Sequence, residues 1–135
     1  MATLKATLTL TSSDVLSSPL NLTANSSLKA DSGSLIRTRV KGTAADSNDL
    51  ALYIVDQMSE RGYLFIRNLD SELENYITIH NDTDTGDVAK IGGGEFAFIP
   101  LAVNKKYEAY GTRANQLIEY GVFGYDNPAA PYGGT

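Results

Sequence analysis

Cysteine is absent from the 135 residues, and histidine occurs once, at His80. The first absence excludes disulfides, iron–sulfur clusters and thiolate zinc sites; the second excludes any zinc motif built on a histidine pair. Tryptophan is missing too, which removes the flat indole platforms that favour sugar stacking. Eight tyrosines keep a glycan-binding module open as an alternative. No stretch approaches the roughly eighteen consecutive apolar residues of a transmembrane helix. The opening "MATLKATLTLT" alternates where a secretion signal would carry a continuous apolar core. Positive charge is scarce: 11 Lys and Arg stand against 16 Asp and Glu, for a net charge of −5 and no run of one sign. Nucleic acid and membrane are therefore not expected partners. One acidic domain remains, long enough to bury a core without cross-links.

What the chain does contain is period two. From Thr3 to Thr11, Leu4, Ala6, Leu8 and Leu10 alternate with threonines and Lys5, which predicts a strand with one apolar and one polar face, half-buried. "SPLNLTAN" repeats the pattern through Leu20, Leu22 and Ala24, and the Ser-rich region from Ser12 to Ser34 has room for a second small sheet. "SLIRTRVKG", "DLALYIVD", "YLFIRN", "YITIH", "DVAKI", "EFAFI", "KYEAY" and "LIEYGVFGY" follow, separated by Gly-, Asn- and Lys-bearing turns. Tyr53, Ile54 and Val55 tip "DLALYIVD" towards strand over helix. The expectation is an all-β, antiparallel β-sandwich or jelly-roll-like barrel of about 8–10 short strands. It occupies 1–125 as a single domain, with 126–135 as an extended Pro/Gly-rich C-terminal tail. Sequons at Asn21, Asn25 and Asn81 read as polar surface in the absence of a secretion signal.

The stretch "HNDTDTGDVAKIGGGEFAFIP" (80–100) gathers the features that most suggest chemistry. Read from Asp82 as a calcium loop, it fails: Gly86, Asp87 and Gly93 stand where an oxygen ligand, a glycine and a glutamate are needed. A looser set of Asp82, Asp84 and Asp87 is better explained as loop solubility. "IGGGE" lacks the lysine and hydroxyl of a phosphate loop, so its glycines are expected to permit positive φ in a tight or bulged hairpin. His80, ending an alternating strand, should share a face with Tyr76 and Thr78 and lie at the surface. No serine sits in a nucleophile elbow. The expectation is a protein with no catalytic residues, no cofactor and no metal, and with turn chemistry in this stretch.

"YLFIRN" (63–68), "YITI" (76–79), "GEFAFIPL" (94–101) and "IEYGVFG" (118–124) occur in that order with short polar loops between them. This layout resembles a group of small all-β virion proteins of tailed bacteriophages, including phages of cyanobacteria, over about residues 50–125. The resemblance implies a structural role with no catalytic residues to carry over. The chain would be a capsid cement or decoration protein, made in the host cytoplasm and carried on the outer capsid surface. It would bind the major capsid protein and bridge its neighbouring copies, itself a homo-oligomer, trimer or dimer. A small tail or vertex protein and a glycan-binding module are the alternatives. The interface candidates are Leu4, Leu8 and Leu10 on the first strand and Tyr125 and Tyr132 on the tail, with core burial the competing role for the leucines. The loops Leu69–Asn75 and His80–Asp87 are expected to face outward.

Overall fold

A computed structural model describes residues 3–30, 32–40, 52–55, 62–81, 87–102, 107–112 and 115–124. The fold is all-β, as the alternating pattern requires, and no helix among the described residues is long and apolar enough to cross a membrane. Ten strands run in the order β1 (Thr3–Ser12), β2 (Leu20–Lys29), β3 (Ser32–Val40), β4 (Leu52–Val55), β5 (Gly62–Asn68), β6 (Ile77–Asn81), β7 (Asp87–Ile91), β8 (Phe96–Leu101), β9 (Tyr107–Gly111) and β10 (Gln116–Gly124). Every pairing between them is antiparallel.

Two four-stranded sheets make the sandwich. One has the order β3-β10-β5-β8 and the other β4-β9-β6-β7. Between β3 and β10 the chain changes sheet at every connection but one; only β6 and β7 are sequential neighbours that also pair. Pro100 lacks the N–H a central strand must donate, and β8 accordingly lies at a sheet edge.

The core fills the space between the sheets. Val40, Leu64, Ile66, Leu101, Ile118, Tyr120 and Val122 enter from the first sheet. Ile77, Ile79, Ile91, Tyr107 and Ala109 meet them from the second. Each large side chain buried here contributes about 1.5–3 kcal/mol. The Tyr107 hydroxyl keeps a partner by accepting from the Ala102 amide at 3.0 Å. Tyr120 does not: its buried hydroxyl has no hydrogen-bond partner among the described residues, and burial pushes its pKa up to about 12.

One polar residue organises the rim. Asn68, fully buried at the end of β5, donates from Nδ2 to the carbonyls of Asn75 and Ile91, at 2.8 and 2.9 Å. Its Oδ1 accepts from the Asp70 amide at 3.0 Å. Asp70 Oδ1 in turn accepts from the Glu72 amide and from Asn75 Nδ2, at 2.9 and 3.0 Å. The loop 69–75 thus turns outward only at residues 71–74, while Asp70 at its base is buried. That corrects the expectation of a loop facing solvent throughout: acidity alone did not reveal that Asp70 caps its own turn.

The glycine triplet needs a second correction. It does not close a hairpin, because β7 and β8 belong to different sheets; it carries the chain across the sandwich. Gly94 has φ of +84°, as a glycine-bearing turn permits. Gly92 and Gly93 are there for space: a Cβ on Gly93 would lie 2.2 Å from the Glu72 carbonyl oxygen, and one on Gly92 2.7 Å from that of Leu73. The turn is closed by the Glu95 amide on the Gly92 carbonyl at 2.9 Å and the Gly92 amide on Glu95 Oε1 at 2.7 Å.

Candidate functional site: an aromatic sheet face beneath a β-ribbon

β1 and β2 pair with each other over ten residues and, among the described residues, with no other strand, forming a two-stranded ribbon. Their register places Leu4 opposite Leu28, Leu8 opposite Ala24 and Leu10 opposite Leu22. Because side chains alternate across a strand, these residues make one apolar face. Thr3, Lys5, Thr7, Thr9 and Thr11 share the opposite face with Lys29, Ser27, Asn25, Thr23 and Asn21. At the base of the ribbon Leu4, Ala6 and Leu28 are half-buried. Further out, Leu8 is 45% exposed and Leu10 43%. Of the apolar residues in the first strand only Leu4 and Ala6 are therefore half-buried, and Leu8 and Leu10 are not core residues.

The ribbon overhangs the outer face of the sheet β3-β10-β5-β8. The cross-strand pairs Tyr63–Phe123, Phe65–Phe98 and Arg67–Phe96 all stand on that face. All four phenylalanines of the chain are therefore on the outside of one sheet. Tyr63 and Phe98 stack with centroids 5.9 Å apart and planes 5° from parallel. Phe65 and Phe96 lie 6.4 Å apart at 36°, both within the range of favourable ring pairs. Arg67 sits 5.6 Å above the Phe65 ring. Leu35 at 57% and Phe96 at 56% remain widely exposed. Between floor and ribbon runs an open groove of about 1050 Å³, lined by Leu4, Leu8 and Leu10 on one side and Tyr63, Phe65 and Phe98 on the other.

Of the five interface candidates, the structure brings Leu4, Leu8 and Leu10 to this groove; Tyr125 and Tyr132 lie outside the described residues. The phenylalanine floor went unread in the sequence, although "EFAFI" carries its signal. Both faces of β8 are apolar, with Phe96 and Phe98 on one and Ala97 and Ile99 on the other.

On the outer face of the second sheet His80 has partners. Its Nε2 is 3.0 Å from Glu108 Oε1 and 3.1 Å from the Tyr110 hydroxyl, which also donates to Glu108 Oε1 at 3.4 Å. Glu108 and Tyr110 are buried, and the three side chains tie β6 to β9. His80 does share its face with Thr78, as alternation requires, but it is a half-buried member of a hydrogen-bonded cluster, not a simple surface residue. None of the three lines the groove beneath the ribbon. Among the described residues no three His, Asp or Glu side chains gather as a metal site would need. Asp87 is exposed at the start of β7, while Asp82 and Asp84 lie outside the described residues. No protein-family model, curated protein or solved structure matches this chain.

Proposed function

We propose that the protein is a structural component of a bacteriophage particle, a cement or decoration protein that binds the major capsid protein on the outer shell. It is not an enzyme, and its work is mechanical: bridging neighbouring shell subunits so that more interfaces must break before the shell opens. The observation that carries this reading is the outward placement of all four phenylalanines on one sheet face beneath an amphipathic ribbon. The exposed rings of Phe96 and Phe98, beside half-buried Phe65 and Phe123, are costly in water, and such a patch marks a contact surface. The layout shared with small all-β virion proteins supports the same role. An interface of standard size buries about 1,600 Å² in total, so many repeated copies add large collective stability.

Copy number per particle tests the proposal, measured by quantitative mass spectrometry on purified virions. Hundreds of copies in simple ratio to the shell protein are expected; a few to a few tens would move the protein to the tail or a vertex. Absence from particles would sink the structural role. A glycan-binding module is the second reading, favoured by the stacked Tyr63–Phe98 pair with Arg67 beside it over Phe65. It predicts saturable binding to host polysaccharide and no change in capsid heat resistance.

A further inference from the structure

We propose that the outer half of the β1–β2 ribbon seats on the phenylalanine face of a second copy of this chain. The proposal concerns the chain alone and does not need a particle, so it stands or falls separately from the shell-binding role.

The ribbon asks for a partner. A two-stranded ribbon is marginal in water unless something covers its apolar face. Ten residues of strand extend roughly 33 Å, and this chain's own sheet half-buries only the base, at Leu4, Ala6 and Leu28. Beyond that point Leu8, Leu10 and Leu22 are exposed, as are Val15 and Leu16 in the turn. The open groove runs under the part of the ribbon from Leu4 to Leu10, and Val15, Leu16 and Leu22 do not line it.

The second apolar surface has the complementary form. Among the described residues eleven large hydrophobic side chains are exposed; five belong to the outer ribbon and three, Leu35, Phe96 and Phe98, to the floor. One surface is a narrow ridge of leucine and valine, and the other a broad aromatic platform. A ridge fills a platform that it overlies, whereas two ridges or two platforms leave side chains uncovered at their margins.

Charge fits the same pairing. The turn joining β1 to β2 holds a single charged residue, Asp14, on whose carboxylate Ser12 Oγ donates at 3.1 Å. The floor is bordered by Arg37, Arg39 and Arg67, although the chain as a whole has a net charge of −5. Arg37 is paired with Glu119 at 3.2 Å, Arg39 donates to the Asn115 carbonyl, and Arg67 lies over Phe65. A carboxylate arriving with the leucine ridge of a second copy meets three arginines against one carboxylate, Glu119, which lies between Arg37 and Arg67 and already pairs with Arg37, so the border is positive on balance. A generic apolar partner would explain the ridge and the platform separately; a second copy supplies both, together with matched charges at their ends.

The test is sedimentation of the purified full chain over a range of concentrations. Reversible self-association is expected. It should be lost in Leu16→Asp/Leu22→Asp, which spoils the ridge, and in Leu35→Glu/Phe96→Glu, which spoils the platform. Mixing the two variants should restore association, because an intact ridge on one then meets an intact platform on the other. Asp14→Arg, a single exposed turn substitution that leaves the sandwich core untouched, should raise the dissociation constant by roughly tenfold or more. A chain that is monomeric at every concentration overturns the proposal. So does association indifferent to both double variants, or a mixture that fails to restore it. A monomer that still coats particles removes this inference and leaves the shell role. Association through ridge and platform in a protein absent from particles does the reverse.

Discussion

The ring of Phe123 lies across Gly33, its cross-strand partner, so closely that a Cβ on Gly33 would sit 2.3 Å from Cδ1 of the ring. The same ring crosses Gly121, where a Cβ would meet it at 3.0 Å and the Ser34 carbonyl oxygen at 2.7 Å. Two glycines thus form the bed on which one wall of the aromatic face rests. The two differ in what a methyl group would strike. At Gly33 it is a half-exposed ring that can swing outward; at Gly121 it is also backbone, which cannot. Gly121→Ala should cost about 1–3 kcal/mol and Gly33→Ala clearly less. Adding Phe123→Ala should relieve Gly33→Ala but not Gly121→Ala. Urea midpoints of the single and double variants check this; equal costs at both glycines would refute it.

Among the described residues the buried Tyr120 hydroxyl has no hydrogen-bond partner in the core. Tyr120→Phe removes the group that burial penalises and should raise stability by on the order of 1 kcal/mol. The alkaline limb should change as well. The folded state holds the proton up to about pH 12, whereas an unfolded tyrosine releases it near pH 10. Between these values the unfolded state binds fewer protons, so stability falls as pH rises. The loss attributable to this residue is on the order of 2–3 kcal/mol. Denaturation at pH 9 and pH 11.5 should show a shallower decline in Tyr120→Phe than in the parent; parallel declines would refute the assignment.

Asn68 bonds three segments at once: the end of β5, the loop 69–75 and the end of β7. Asn68→Ala removes a donor from the Ile91 carbonyl and the acceptor of the Asp70 amide, while the Asn75 carbonyl keeps Gln116 Nε2 at 3.0 Å, with an expected cost of about 1–3 kcal/mol. Asn68→Asp tests the geometry more sharply. It keeps the shape but turns the donating nitrogen into an oxygen facing the carbonyls of Asn75 and Ile91. It should be at least as harmful as alanine at neutral pH, measured by thermal unfolding. A harmless aspartate would mean the two donated bonds carry little.

His80, Glu108 and Tyr110 act together on the outer face of the second sheet. Because Glu108 is buried, removing one partner leaves polar atoms without water to replace it. His80→Ala and Glu108→Ala should each cost about 1–3 kcal/mol. The double variant should cost less than their sum, since the same bond is lost in both. Strict additivity in chemical denaturation would show the cluster to be decorative.

The strands, expected to number about 8–10, were legible in this chain because alternation is a local property: Leu4 to Leu10, or Ile77 and Ile79 alternating with Thr78 and His80, need no partner to be read. The lack of thiols, and a positive φ somewhere in the glycine triplet, found at Gly94, are likewise written in residue types. Strand order was not, since β3 pairs with β10 and β5 with β8. No stretch of sequence marks a partner some eighty residues away. Nor was the choice of face in β8. Phe96 and Phe98 are more apolar in area than Ala97 and Ile99, and burial alone would have sent the rings inward. The register with β5 sets Ala97 beside Ile66 and Ile99 beside Leu64 instead. Since Leu64, Ile66 and Leu101 share that inner side, alternation carries the rings outward. Sequence determined which residues alternate. Only the packing of one sheet on the other decided which half of each alternation the core would keep, and so where the chain's aromatic surface stands exposed.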